Sequence, residues 1–194
     1  MMVDKISTIL QSRTPRILGE ERFKPAAVLV PIQERTDGDY LVLTKRAAML
    51  SSHRGQVAFP GGRLDQEDSG PLAAALRESQ EEIGIQPRDV RVLGQLDQVT
   101  AAANYLVTPF VGVIPFPYEF HLNPAETTAV FSVPISALMD RGCFSMEPRP
   151  FSLVKRGPIY HFHYEEWDIW GATARIIKQL LELAYGFEIQ EHLD

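Results

Sequence analysis

The chain has 194 residues, 45% of them hydrophobic, and a formal net charge of −6. That length and apolar content suit one domain with a sizeable core rather than two independent domains. An acidic balance, without any run of Lys or Arg longer than two, omits the electrostatic footprint of a nucleic-acid or anionic-membrane binder, so neither is expected as a partner. Val3 to Leu10 reads as a short helix within an N-terminal helical extension covering residues 1–25. Its first dozen residues lack the basic region and apolar core of a signal peptide, and no later run is long enough to span a membrane. Ala26 to Ile32 and Tyr40 to Thr44 read as strands of a hairpin around the polar turn Arg35-Thr-Asp-Gly-Asp. Met49 to Gly70 is an irregular stretch too long for a mere connector, which points to function. A helix follows from Pro71, then strand candidates at Val90 to Leu96, Leu106 to Ile114 and Thr128 to Val133. Cys143, the single cysteine, excludes an internal disulfide framework and fits a reducing, cytoplasmic setting, and no motif supports it as a nucleophile. His161 and His163 alternate along a further candidate strand and share a face at a metal-compatible spacing, with no third ligand evident in the sequence. A terminal helix is predicted from about Ile169 to Tyr185, and Ile176, Ile177, Leu180, Leu181 and Ala184 form its packing face, which either covers the sheet or joins a homodimer. Trp167, Trp170 and Phe187 read as packing aromatics, and Gly171 as room for close helix approach. Strands mixed with at least two substantial helices make an α/β or α+β layered domain, expected as one unit over residues 26–194.

The Pro71 helix carries the chemistry. Ser69-Gly70-Pro71 has the pattern of a helix start, and Gly84 is placed to end it. At about 100° per residue, Leu72, Leu76, Ser79 and Ile83 fall on one narrow face suited to packing on a sheet, while Glu78, Glu81 and Glu82 share another patch. The patch is costly. Glu78 and Glu82 are a like-charge i,i+4 pair, unfavourable by roughly 0.2–0.5 kcal/mol, and the acids stand toward the negative end of the helix dipole. A divalent cation reverses the sign of that interaction, and Mg²⁺ is held by few carboxylates together with substrate phosphates. The bland alternative is a solvated acidic face. Arg77, one turn before Glu81, is spaced to pair with it.

The run from Gly62 to Ile85, ending in Arg77-Glu78-Ser79-Gln80-Glu81-Glu82-Ile83-Gly84-Ile85, resembles the Nudix box. Its second half matches at every charged and glycine position. The interval from Gly62 to Arg77 is one residue longer than usual, with Asp68 nearest the upstream acid, and Ser79 replaces an aliphatic residue. A second stretch, Leu43-Thr44-Lys45-Arg46-Ala47 followed by Gly55-Gln56-Val57-Ala58-Phe59-Pro60-Gly61-Gly62, resembles the motif of the coenzyme A pyrophosphatase branch of that family. Ser51 stands where the branch usually has a basic residue, with His53 and Arg54 close by. Trp167 to Arg175 is also similar to that branch, so the resemblance extends from about Ala26 to Leu183.

The resemblance implies a Nudix-type α/β/α sandwich, with a mixed central sheet flanked by helices, and hydrolysis of coenzyme A or its thioesters to 3′,5′-ADP and 4′-phosphopantetheine or its acyl derivative. Other Nudix substrates (ADP-ribose, a dinucleotide, a nucleoside triphosphate) are the enzymatic alternative. A nucleotide-sensing module without catalysis is the alternative of another class. Mg²⁺, with Mn²⁺ as a substitute, is expected on Glu78, Glu81 and Glu82. Arg77, Glu81 and Glu126 are the candidates for direct roles in catalysis, Glu126 because an acid outside the box sometimes serves. Lys45, Arg46 and Arg54 are candidate phosphate contacts, and Gly55, Phe59, Gly61 and Gly62 complete the expected substrate site.

Overall fold

The structure is a computed structural model that describes residues 2–19, 22–47, 55–148 and 158–188. In chain order the elements are α1 (Met2–Ser12), β1 (Lys24–Arg35), β2 (Gly38–Arg46), β3 (Val57–Ala58), β4 (Gly61–Arg63), α2 (Pro71–Ile83), β5 (Arg91–Gln95), β6 (Val99–Ala101), β7 (Tyr105–Val113), β8 (Thr127–Pro134), α3 (Ile135–Leu138), β9 (Phe144–Glu147), β10 (Ile159–Tyr164), β11 (Trp167–Trp170) and α4 (Gly171–Leu180), which runs on into a π turn at Leu181–Tyr185.

The centre of the sheet follows from the apolar run in β1. A strand buried on both faces needs such a run rather than alternation, and Ala26 to Ile32 pairs in parallel with Val107 to Val113 of β7. Among the described residues the other pairings of this sheet are antiparallel, along the path β3-β2-β1-β7-β5 with β4 on β1, β6 on β7 and β8 on β2. The sheet is therefore mixed. Ala26, Val30 and Ile32 share a core cluster with α1 and α4, whereas Ala27 and Leu29 face the side that holds α2. Helices cover both faces, giving the expected α/β/α sandwich. On α1 the buried residues are Val3, Ile6 and Leu10, at helical spacing. The β1–β2 turn needs only Thr36 and Asp37, because Arg35 pairs with Gly38.

Expectations for the last helix and for α2 are corrected here. Ile169 and Trp170 are not the start of the last helix but the end of a strand, Trp167 to Trp170, that pairs with β10, Tyr164 opposite Trp167 and His161 opposite Trp170. Gly171 makes the change of direction at φ +69°, and no atom lies within 4 Å of where its side chain would stand. Its role is conformational rather than to admit a neighbouring helix. Ile176, Ile177, Leu180, Leu181 and Ala184 all join the main core cluster, so this face of α4 is used inside the chain to cover the sheet. The irregular stretch before α2 also contains more order than expected, since β3 and β4 lie within it.

The second correction concerns α2. Its buried residues are Ala74, Ala75, Ser79, Glu82 and Ile83, while Leu72 and Leu76 are only half-buried. On a 100° wheel the core face is rotated by roughly 70° from the leucine stripe toward the acids. Small side chains explain the rotation. Ala74, Ala75 and Ser79 let the helix lie close to β1, and the Ser79 hydroxyl is satisfied by donating to the Ala75 carbonyl at 2.6 Å, a bond that spares a buried polar group.

Candidate active site

A cavity of about 530 Å³ opens between α2 and the start of α4, within the size range of small-molecule sites. Arg46, Gly61, Gly62, Glu78, Glu82 and Glu126 form part of its lining, together with Tyr105, Trp170 and Thr173.

The acidic side is built from the glycines upward. β4 pairs Gly61 with Val28 and Gly62 with Ala27, which sets this backbone directly beneath α2. Gly61 has φ +148°, and a Cβ there would collide with the Ala27 carbonyl and Val28, whereas a Cβ on Gly62 would collide with the Glu78 carboxylate. Glycine at 61 thus lets β4 lie against β1 and glycine at 62 makes room for the Glu78 carboxylate, while the Gly61 N–H donates to Glu82 Oε2 at 3.1 Å.

Glu82 is 2% exposed, not part of the open patch expected from the wheel, because the core face of α2 is rotated toward it. Arg46 Nη1 stands 3.1 Å from its Oε1. Burial pushes the Glu82 carboxyl up to about 7, against the opposing pull of Arg46 and of the Gly61 N–H. The carboxyl of Glu78, largely buried, is also raised by burial, with Arg77 acting the other way. Desolvation drives these two neighbouring acids toward protonation even with Arg46 and Arg77 beside them, so a further cation is needed to hold both ionised.

Glu126 reaches this pair by backbone anchoring. The His121 N–H donates to Ile83 O and the Asn123 N–H to Glu82 O at 2.9 Å, fastening the loop onto unsatisfied carbonyls at the end of α2. The Asn123 side chain accepts from the Ala125 N–H, and the Glu126 carbonyl accepts from the Ala47 N–H just past β2. Glu78, Glu82 and Glu126 thereby offer carboxylate oxygens within 4.8 Å of one another. An all-oxygen anionic set of this kind, with room for water and phosphate in the cavity, fits Mg²⁺ or Mn²⁺.

Glu81 stands apart from the trio. It is 54% exposed and pairs with Arg77 Nη1 at 3.0 Å, the expected i,i+4 contact. Arg77 also holds Asp68 through a fork, Nε to Oδ1 at 3.1 Å and Nη2 to Oδ2 at 3.0 Å, and reaches Glu78 at 3.0 Å. Its guanidinium is stabilised in the charged form, and the Asp68 carboxyl is held below the usual carboxylate range, both chiefly by that fork. Asp68, read from the sequence only as the nearest upstream acid, is thus the anchor that aims Arg77 at Glu78 and Glu81.

The remaining expected residues divide. Arg46, Gly61 and Gly62 come to the cavity. Lys45 does not, because it lies 5.0 Å over the Trp167 ring, and Trp167 stacks on Phe131 at 4.2 Å as a packing aromatic. Gly55 is a turn residue at φ +65° and is not in the lining. Phe59 borders the cavity but is buried in the main core cluster. Ser51, His53 and Arg54 lie outside the described residues. Trp170, expected as packing, is 39% exposed and lines the cavity. Burial pushes the Cys143 thiol up, and its S–H donates to the His163 carbonyl, the opposite of an activated nucleophile.

The NUDIX domain family matches residues 22–156. A Nudix hydrolase NudL of Citrobacter koseri is 38% identical over 184 residues, covering 93% of each chain. Its counterpart in Photorhabdus laumondii is 42% identical over 160 residues, 81% of this chain and 83% of that one. Among solved structures, the Nudix hydrolase RenU of M. smegmatis superposes with a TM-score of 0.51 at 21% identity, covering 60% of this chain and 73% of the other, which shows the shared fold. With the box residues on α2 gathered at one cavity and the family matched over most of the chain, this protein belongs to the Nudix hydrolases, pyrophosphohydrolases that act on phosphorus-containing anhydrides.

Proposed function

We propose that this Nudix hydrolase cleaves the pyrophosphate bond of coenzyme A or its thioesters, releasing 3′,5′-ADP and 4′-phosphopantetheine or its acyl derivative. The carrying observation is that Arg46, Gly61 and Gly62, from the stretch resembling the coenzyme A branch, line the same cavity as Glu78, Glu82 and Glu126. Substrate recognition and acid cluster then belong to one site.

In this reading Glu78, Glu82 and Glu126 hold the divalent cation, Mg²⁺ or Mn²⁺, which when bound neutralises phosphate charge and lowers the pKa of water. Arg46 donates to a phosphate oxygen as well as to Glu82, so that the substrate is oriented from the β2 side. Of the two candidates for the base, Glu126 is favoured over Glu81, because Glu126 shares the cavity with Glu78 and Glu82 whereas Glu81 turns to Arg77. The water oxygen bonds to phosphorus as the anhydride P–O bond breaks, and the water proton passes to the carboxylate oxygen of Glu126 that does not hold the cation. Arg77, fixed by Asp68, positions Glu78. A cytoplasmic location, inferred from the single thiol, is part of the same proposal.

The test is a product-resolved hydrolysis panel with Mg²⁺ over coenzyme A, dephospho-coenzyme A, acyl derivatives, ADP-ribose, NADH and nucleoside triphosphates. The expected result is cleavage of coenzyme A, with preference lost when the 3′-phosphate is removed. Turnover of another nucleotide without turnover of coenzyme A overturns the substrate; binding without turnover of any overturns the catalytic reading.

A further inference from the structure

The three-stranded sheet β9-β10-β11 has two unlike faces. Phe144, Tyr160, Phe162 and Ile169 turn into the core, while the alternate residues Ser145, Glu147, His161, His163, Asp168 and Trp170 share the other face. On that face Asp168 Oδ1 stands 2.9 Å from His161 Nδ1 and 3.5 Å from His163 Nδ1. The ligand atoms of the three residues all lie within 4.8 Å of one another. This is the third donor that the histidine spacing alone did not reveal, and it comes from the neighbouring strand because Asp168 is directly opposite His163.

We propose that His161, His163 and Asp168 form a binding site for a borderline transition-metal ion of the Zn²⁺ class, separate from the carboxylate trio of the active site. Each ring presents Nδ1 to Asp168 and keeps Nε2 for an outer partner. The Nε2 of His163 is hydrogen-bonded with Ser145 Oγ at 2.8 Å. The Nε2 of His161 is buried with no hydrogen-bond partner among the described residues, 3.9 Å from Glu147 Oε2. Ligating histidines generally use their second nitrogen as His163 does, which fixes the ring and raises its basicity, and the buried Nε2 of His161 is left to the nearby Glu147. Tetrahedral zinc with bonds of about 2.0–2.2 Å separates its donors by about 3.3–3.5 Å, so the His163–Asp168 edge already fits and the His161–Asp168 edge opens by about half an ångström.

The donor chemistry separates the two centres. Two imidazoles and one carboxylate favour Zn²⁺, Ni²⁺ or Co²⁺, whereas the three glutamates offer only hard oxygen. Position adds a consequence. The Trp170 ring stacks on His161 with centroids 6.2 Å apart, and Trp170 lines the active-site cavity. An ion here ties β10 to β11 and stiffens the strand that carries this wall residue.

The experiment is equilibrium dialysis of the full chain against Zn²⁺ in excess Mg²⁺, which keeps the carboxylate site occupied, with a parallel thermal melt. Wild type is expected to retain one Zn²⁺ per chain and to melt higher with it. Glu82→Gln is expected to retain that ion. His163→Ala and Asp168→Asn, both at half-exposed positions, are expected to weaken uptake by at least about tenfold and to lose the melting shift, with circular dichroism checking the fold of each. Absence of Zn²⁺ uptake by wild type, or uptake unchanged in His163→Ala and Asp168→Asn, overturns the proposal. Neither result bears on coenzyme A hydrolysis, which the substrate panel tests by itself.

Discussion

Arg46 Nη1 lies 3.1 Å from Glu82 Oε1, so the last residue of β2 supplies the counter-charge for a carboxylate buried on α2. Without a metal, this is the ion pair that offsets desolvation of Glu82. Removing one partner of such a pair exposes the other to its full burial cost. Arg46→Ala is therefore expected to destabilise the metal-free protein by about 1–3 kcal/mol at pH 8. The loss should be smaller in Mg²⁺, because a bound cation takes over as counter-charge. Urea unfolding in chelator and in Mg²⁺ measures both values, and an equal loss in the two would refute a shared role of Arg46 and the ion.

Glu126 and Glu81 make a second contrast. Partners one step removed from a metal already change affinity by about 10–100-fold, so loss of a direct ligand sets at least about tenfold. Glu126→Gln is expected to weaken Mg²⁺ binding by that much, and Glu81→Gln by less, since Glu81 pairs with Arg77 outside the trio. Calorimetric titration of both variants decides. The reverse order would return Glu81 to the metal and remove Glu126.

Gly61 and Gly62 should fail differently when changed to alanine. At Gly61 the added methyl meets backbone at positive φ, so Gly61→Ala is expected to cost stability, about 1–3 kcal/mol. At Gly62 it meets the movable end of Glu78, so Gly62→Ala should keep its melting temperature and lose metal affinity and turnover. A Gly62→Ala variant that is fully active sinks the claim that this glycine makes room for the Glu78 carboxylate.

Much of this arrangement is legible in the sequence. The apolar run of β1, the bounds of α2 between Pro71 and Gly84, and the Arg77–Glu81 pair all express local rules of periodicity and capping. The orientation of α2 is not, because the wheel weights leucines, whereas close packing on the sheet follows Ala74, Ala75 and Ser79. For the same reason the wheel groups Glu82 with Glu78 and Glu81 rather than with the core. Glu126 stood out in the sequence only as a loop acid; its approach to Glu78 and Glu82 depends on backbone hydrogen bonds from His121 and Asn123 to the end of α2, which no side-chain pattern encodes. Asp168 joins His161 and His163 through the register of β10 and β11, again a tertiary fact.

The pH dependence follows from Glu82, whose carboxyl is pushed up to about 7 in the folded protein from an ordinary value near 4.3. A folded pKa above the unfolded one means that the folded state takes up a proton the unfolded chain does not. That stability is fully present below about pH 4.3 and is lost as pH rises through about 7, a change of roughly 4 kcal/mol at about 1.4 kcal/mol per unit. In chelator, the melting temperature of wild type should therefore fall between pH 5 and 8 relative to Glu82→Gln, which cannot titrate there. In Mg²⁺ the fall should be reduced, since the cation binds the ionised form, and apparent Mg²⁺ affinity should drop below pH 7 as the proton competes. Coincident wild-type and Glu82→Gln melting profiles in chelator would mean that Glu82 titrates in its ordinary range, and that burial beside Arg46 does not shape the site's affinity for metal.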